Sequence, residues 1–292
     1  MKIGIIGIGL IGGSIAKDLK TKSLGTVQVY GVENNPVHAA KVKELNLVDA
    51  LLSLEQVFEK ADVIILATPV NVIKDQIVEM LDKGREGQVI IDTGSTKRYI
   101  CQAVASHVNR LNFVAAHPLA GTEFSGPEAA VLDLFQGKKN IICEKEKSSD
   151  EAIQTAQKIF NFLGMSSYFL QAEEHDRHLA YVSHLSHISS FTLSLTVQEI
   201  EKDQKQIFNL ASTGFASTAR LAKSNAETWG PIFDANGEYL IEAIDLYINY
   251  LNKFKENIKN RNIESSKKLM LKANEISSVL EGIVLNKQTP QT

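Results

Sequence analysis

His117 closes an apolar run, NFVAAH (112–117), and is followed at once by Pro118, with Gly121, Thr122 and Glu123 within six positions. An unperturbed imidazole titrates near pH 6.5. At the mouth of a strand it suits a base that takes a proton from an alcohol while hydride leaves the same carbon. Ser95 lies in DTGSTK (92–97), just past another apolar run. A hydroxyl there can reach the reacting end of a ligand or cap a helix starting at Thr96. A third group is GIGLIG, in which Gly7, Gly9 and Gly12 enclose Leu10 and Ile11. Such glycines permit a tight turn, close approach of backbone to a pyrophosphate, and close packing of helix on strand.

The glycine pattern is weak alone, but its surroundings fit. A strand-like run, KIGIIG (2–7), precedes it, a helical pattern through Leu19 follows, and a second run, VQVYGV (27–32), ends beside Glu33, twenty-one positions after Gly12. An acid there accepts hydrogen bonds from the adenosine ribose hydroxyls and repels a 2′-phosphate. VENNPVHAAK (32–41) holds no arginine to receive such a phosphate, so the expected cofactor is NAD rather than NADP. Glu33 could also cap the helix that opens at Pro36.

These residues need a scaffold that brings strand ends together. DVIILAT (62–68), QVIIDTG (88–94) and NFVAAH continue the strand series, and NIIC (140–143) and SYFL (167–170) read as late edge strands. The runs are continuously apolar rather than alternating, as expected of strands covered by helices on both faces. That predicts a doubly wound, mostly parallel Rossmann-type α/β sheet with right-handed crossovers. Ligands of such sheets lie outside the carboxyl ends of the strands, so Thr68 and Pro69 of ATPV (67–70) should border the cofactor.

After about Leu170 no convincing strand remains. Residues 173–200 read as one long helix, so apolar in its middle that it must be buried in an assembly or between subunits. Further helices are expected near 226–260 and 262–285. The predicted organisation is a dinucleotide-binding domain over 1–170, an all-helical substrate and dimerisation domain over 171–285, and a disordered tail, 286–292. With so short a tail, neither a regulatory domain nor a fused mutase is expected.

The bulk properties exclude several classes. The 292 residues are 44% hydrophobic and 22% charged, ordinary for a globular protein, and a net charge of −3 gives no broad pull toward nucleic acid or membrane. Two distant cysteines make neither a disulfide framework nor a CxxC metal pair. The apolar start is glycine-studded and too short to span a bilayer, and it lacks a signal-peptide cleavage region. A cytoplasmic location is expected. The histidines at 175, 178, 184 and 187 invite a metal reading. Regular helical spacing sets His175 well away from His184 and His187, and no acid completes a face, so no metal is expected. His175 and His178 read as solvated or interface residues.

HPLAGTE (117–123), with GIGLIGGS (7–14) upstream and SHLSH (183–187) and STGF…R (212–220) downstream, resembles the prephenate and arogenate dehydrogenases of tyrosine biosynthesis, from the first strand to about residue 280. The resemblance implies that His117 is the base on the ring hydroxyl, that Ser95 contacts that hydroxyl and the nicotinamide, and that His187 lies near the substrate. It implies that Arg220 pairs with a substrate carboxylate and that Glu123 and Trp229 line the pocket beside Thr122 and Gly121. It further implies prephenate or arogenate as substrate, with prephenate favoured; the apolar long helix leads us to expect a homodimer, and the short tail leads us to expect tyrosine, where it inhibits, to compete in the same pocket. The chain departs from the family pattern after GF. Ala216 and Ser217 replace a basic–acidic pair, so an aspartate that often steers the arginine is missing at Ser217. Two other readings stay open: a dinucleotide sensor without turnover, and a different two-domain small-acid dehydrogenase. The latter typically carries a lysine on its long helix, and residues 175–198 have none.

Overall fold

We describe a computed structural model of the chain, over residues 1–203 and 207–281. The tail expected at 286–292 lies outside the described residues. Compactness divides the chain into one unit over Met1–Leu240 and a second from Ile241 onward.

The first unit is built on an eight-stranded sheet: β1 (Lys2–Ile6), β2 (Gln28–Val32), β3 (Ala50–Leu51), β4 (Val63–Leu66), β5 (Val89–Asp92), β6 (Phe113–Pro118), β7 (Lys139–Cys143) and β8 (Ser166–Leu170). Spatial order is β3-β2-β1-β4-β5-β6-β7-β8, and every pairing is parallel except β6 with β7. The continuously apolar runs are these strands, and β7 and β8 lie toward one edge as expected. The two-residue β3 was not legible, since two residues carry no periodicity.

Helices α1 (Leu10–Lys22), α2 (Pro36–Glu44), α3 (Leu54–Lys60), α4 (Val70–Lys83), α5 (Arg98–Ala103) and α6 (Asp150–Phe162) join the strands. Alternate residues of the strands feed two separate apolar clusters. Ile3, Ile5, Ile65 and Ile91 pack with α1 and α6; Ile64, Leu66 and Ile90 pack with α3 and α4. This two-sided burial is why the runs are unbroken. Winding reverses between β1 and β4, so a crevice opens above the carboxyl ends of those strands.

The helical segment predicted over 173–200 is not one regular helix. It comprises α7 (Ala172–Leu179), a π-helical turn (Ala180–His184) and α8 (Leu185–Asp203). Within the single chain α8 leaves the apolar side chains of Leu195 and Ile200 exposed. Then come α9 (Thr213–Ala219), a 3₁₀ turn (Arg220–Lys223) and α10 (Ala226–Ala235). Helices α11 (Gly237–Lys259), α12 (Ile263–Asn274) and α13 (Ser277–Glu281) supply the second unit, which exposes Leu251, Ile258, Ile263, Met270 and Leu271. Among the described residues no strand follows Leu170, and no helix is long and apolar enough to cross a membrane.

Candidate active site

The glycine turn has the shape its sequence demands. Gly7 sits at φ +91°, and a Cβ there would fall 2.9 Å from the Ala67 backbone. A Cβ on Gly12 would lie 2.0 Å from the Gly7 carbonyl oxygen, so only glycine lets α1 start this close to β1. Gly9, at the N-cap of α1, has open space where its Cβ would be. No side chain caps α1 and no acid stands in its first turn. Its amides and positive end are therefore free to meet a phosphate. Glu33 does not cap the following helix. Asn35 does, accepting from Val37 N–H and His38 N–H. The Glu33 carboxylate instead accepts from Ile8 N–H (3.1 Å) and Asn35 N–H (3.0 Å), which fixes it beside the turn.

A cleft of about 430 Å³ opens there. Its walls include Gly7, Gly9, Leu10, Ile11, Glu33, Thr68, Pro69, Ser95, Gly121, Thr122, Glu123 and Trp229. Gly12 lies beneath as a packing glycine. Ser95 is not an N-cap: α5 begins at Arg98 with Lys97 at its cap position, so the serine stays at the cleft wall.

Three predicted residues, Arg220, His187 and His117, are not part of that wall. Arg220 Nη1 donates to Glu123 Oε2 at 3.2 Å, and the Ser217 hydroxyl donates to the Gly214 carbonyl within α9. His187 stacks on the Trp229 indole, ring centroids 3.3 Å apart and planes 24° off parallel. Its Nδ1 meets the Ser183 carbonyl at 3.0 Å; a carbonyl only accepts, so Nδ1 carries the hydrogen and Nε2 the lone pair. His117, on buried β6, is only 9% exposed.

What holds His117 was not foreseen. Its Nδ1 lies 2.8 Å from Nε2 of His175, and His175 Nδ1 lies 2.7 Å from Asp176 Oδ1. His175 is fully buried, so the expectation of a solvated or interface residue is wrong; His178 is exposed. Asp176 also accepts from Lys97 N–H (2.8 Å) and Arg98 N–H (2.9 Å), supplying from a distant helix the cap that Ser95 does not. The π turn explains the error. At about 100° per residue, His175 and His187, twelve positions apart, would point about 120° from one another. One residue absorbed in a π turn reduces that to about 20° and brings both toward one side. Nothing in AYVSH announces such a turn. His184, inside it, accepts from Asn236 Nδ2 at 3.0 Å, and the same amide donates to the Asp176 carbonyl at 2.8 Å.

A second unforeseen support is the buried ion pair of Lys97 with Asp92, both side chains wholly enclosed. Lys97 Nζ also donates to the Ala116 carbonyl at 2.7 Å, and Ala116 N–H donates to Asp92 at 3.2 Å, which pins the strand residue just before His117. A signal was present here: an acid ending the buried run VIID requires a partner, and Lys97 follows five positions later.

Burial dominates the electrostatics. It pushes His117 well below the ordinary imidazole value, with His175, Lys97 and His184 adding repulsion. It lowers His175 against the opposing pull of Asp176, takes His184 down to about 4, and lowers His187 with Arg220 adding to the effect. The rings are held neutral. Among the described residues no three His, Cys, Asp or Glu side chains are grouped to hold a metal ion.

Comparison with known proteins decides the family. The model described as "Prephenate dehydrogenase, nucleotide-binding domain" matches residues 15–168, and "Prephenate dehydrogenase, dimerization domain" matches 171–272. The chain belongs to the prephenate dehydrogenase family. Among its relatives in that family is the prephenate dehydrogenase of Lactococcus lactis, 28% identical over 96% of this chain and 77% of that protein. Prephenate dehydrogenase from A. aeolicus, solved with hydroxyphenyl propionate and NAD+, has a TM-score of 0.83 at 28% identity, covering 94% of this chain and 98% of that one. Synechocystis arogenate dehydrogenase has a TM-score of 0.76 at 26% identity, covering 96% and 100%.

Proposed function

We propose that the protein is an NAD-dependent prephenate dehydrogenase, converting prephenate to 4-hydroxyphenylpyruvate and carbon dioxide. The carrying observation is a neutral, buried His117, anchored through Nδ1, on the strand that runs into a cleft whose other wall is the glycine turn. Glu33, held by two amides, accepts the ribose hydroxyls, and the free start of α1 takes the pyrophosphate. NAD, when bound, receives the hydride from the hydroxyl-bearing ring carbon.

His117 takes the hydroxyl proton on Nε2, and Ser95 orients that hydroxyl from the cleft wall. The resulting dienone loses its ring carboxylate as carbon dioxide and becomes an aromatic phenol. Aromatisation drives the reaction, so the protein has mainly to align the reacting groups. Arg220 holds a substrate carboxylate in place of Glu123, since a planar guanidinium can make two parallel hydrogen bonds to it. His187 and Trp229 pack as one slab against the ligand, with Thr122 and Gly121 completing the pocket.

Arogenate is the second reading, favoured by the likeness to the Synechocystis enzyme. Arogenate carries an ammonium where prephenate carries a ketone, and Glu123, released when Arg220 turns to the substrate carboxylate, is the acid at hand to receive it. Crossing prephenate and arogenate with NAD and NADP, and following reduced cofactor by absorbance, tests both readings. Turnover of prephenate with NAD is expected to be fastest. Turnover of neither acid would leave only a nucleotide-binding scaffold.

Residues 1–170 are proposed as the nucleotide domain and 171–285 as the helical substrate and dimerisation domain, a division supported by the two model matches. The exposed apolar side chains of the second unit support a homodimer. Light scattering at micromolar concentration should give twice the chain mass. A cytoplasmic location and competition between tyrosine and substrate complete the reading.

A further inference from the structure

Resting on the dehydrogenase reading, we propose that Asp176 and His175 act as positioning residues that set the tautomer of His117 through two imidazoles in series, so that its lone pair sits on Nε2. Hydrogen-bonding rules carry the inference from one end of the chain to the other. Asp176 accepts the Lys97 and Arg98 amides, so its carboxylate is an acceptor on both oxygens. An acceptor 2.7 Å from His175 Nδ1 requires the hydrogen on that nitrogen. Neutral His175 then presents a bare Nε2, and at 2.8 Å His117 Nδ1 must be the donor. Neutral His117 is left with its lone pair on Nε2, the one ring nitrogen with no protein partner among the described residues. A base that met the hydroxyl with an N–H instead could not accept its proton.

The same chain serves the protonated state. When His117 gains a proton, positive charge appears on a ring that already faces the Lys97 cation. Asp176 is the anion linked to that ring through hydrogen bonds, while Asp92 is already engaged by Lys97. The ring planes of His117 and His175 cross at 68°, which suits an in-plane bond at one ring edge rather than stacking. His175 touches neither substrate nor cofactor in this scheme; it acts only through His117.

The test has a spectroscopic and a kinetic arm. Nitrogen-15 imidazole spectra of the ligand-free, full-length protein at neutral pH, assigned with His117→Gln and His175→Gln, should show His117 with protonated Nδ1 and bare Nε2. This readout needs no turnover, so it stands or falls separately from the activity assigned to the site. A His117 with its hydrogen on Nε2 in the unsubstituted protein would overturn the proposal. In the kinetic arm, His175→Leu removes the acceptor, and kcat should fall at least ~10-fold, within the range general bases supply, with NAD affinity within twofold. His175→Gln keeps an acceptor for Nδ1–H and should recover much of that loss, yet its acid limb of kcat should move because the link to Asp176 is weakened. Equal kcat and an unmoved acid limb in both variants would refute the role. Should the leucine variant fail to fold, the glutamine variant and the spectra of the unsubstituted protein still decide.

Discussion

The two ends of the cleft were built by different rules. At the glycine end, contacts are local: Gly7, Gly9, Gly12 and the start of α1 lie within a few positions, and Glu33 reaches back to Ile8 over 25 residues. At the histidine end, one strand residue is held by a side chain 58 positions away, and the cap of α5 comes from 79 positions away. The first end is a motif, and the second is an assembly formed only when the helical segment packs on the sheet. A motif tolerates a change of partner domain, whereas an assembly fails when any member is misplaced. The two ends should therefore break separately.

The largest separation is expected from His117→Asn, which should lose ~10²–10⁴ in kcat while NAD affinity stays unchanged by titration. In the unsubstituted enzyme the acid limb of kcat/KM should lie below the ordinary imidazole value, because burial lowers the pKa of His117. Activity should thus be level from pH 8 to about 6.5 and fall only in more acid solution. A limb at or above that value would show the ring more solvated than it is here.

The histidine end should also carry a pH-dependent stability that the glycine end lacks. His184 moves from about 6.5 unfolded to about 4 folded, so the unfolded chain binds a proton in that window that the folded chain refuses. Its contribution is complete above about pH 6.5 and is lost as pH falls toward 4, reaching roughly 3 kcal/mol. Urea titrations at pH 7 and 5 should show a shallower decline for His184→Gln than for the parent. Equal slopes would assign the acid sensitivity elsewhere.

Arg220→Ala should raise KM for the acid substrate tens-fold with a smaller change in kcat, as expected when a carboxylate anchor made in the ground state is removed. An unchanged KM would mean another group holds the carboxylate. The smallest effect is expected at the glycine end. Glu33→Ala should reduce the preference for NAD over NADP about tenfold, the scale of one charge-assisted hydrogen bond, without altering the pH limb. A preference that survives would place discrimination in the backbone.

Legibility follows the same division. The strand runs, the glycine turn and the carboxylate at Glu33 were readable because each is set by residue types close in sequence, and HPLAGTE pointed to His117. His175 was misread because a π turn shifts helical phase by one residue, and no composition signals it. Lys97 was overlooked although Asp92 in an apolar strand requires a cation. Ser95 was rightly placed at the cleft, but its alternative as a cap failed because Asp176 takes that duty from outside the local sequence.

The reach of Asp176 has a consequence for how the molecule comes into being. A ribosome delivers the dinucleotide cradle and His117 well before it delivers residue 176. Until α7 docks, nothing dictates which nitrogen of His117 is bare, and α5 lacks its distant cap. A chain shortened before α7 should therefore hold nucleotide poorly or well according to its own folding, yet be chemically mute. Competence to transfer hydride thus waits on residues delivered after the dinucleotide cradle.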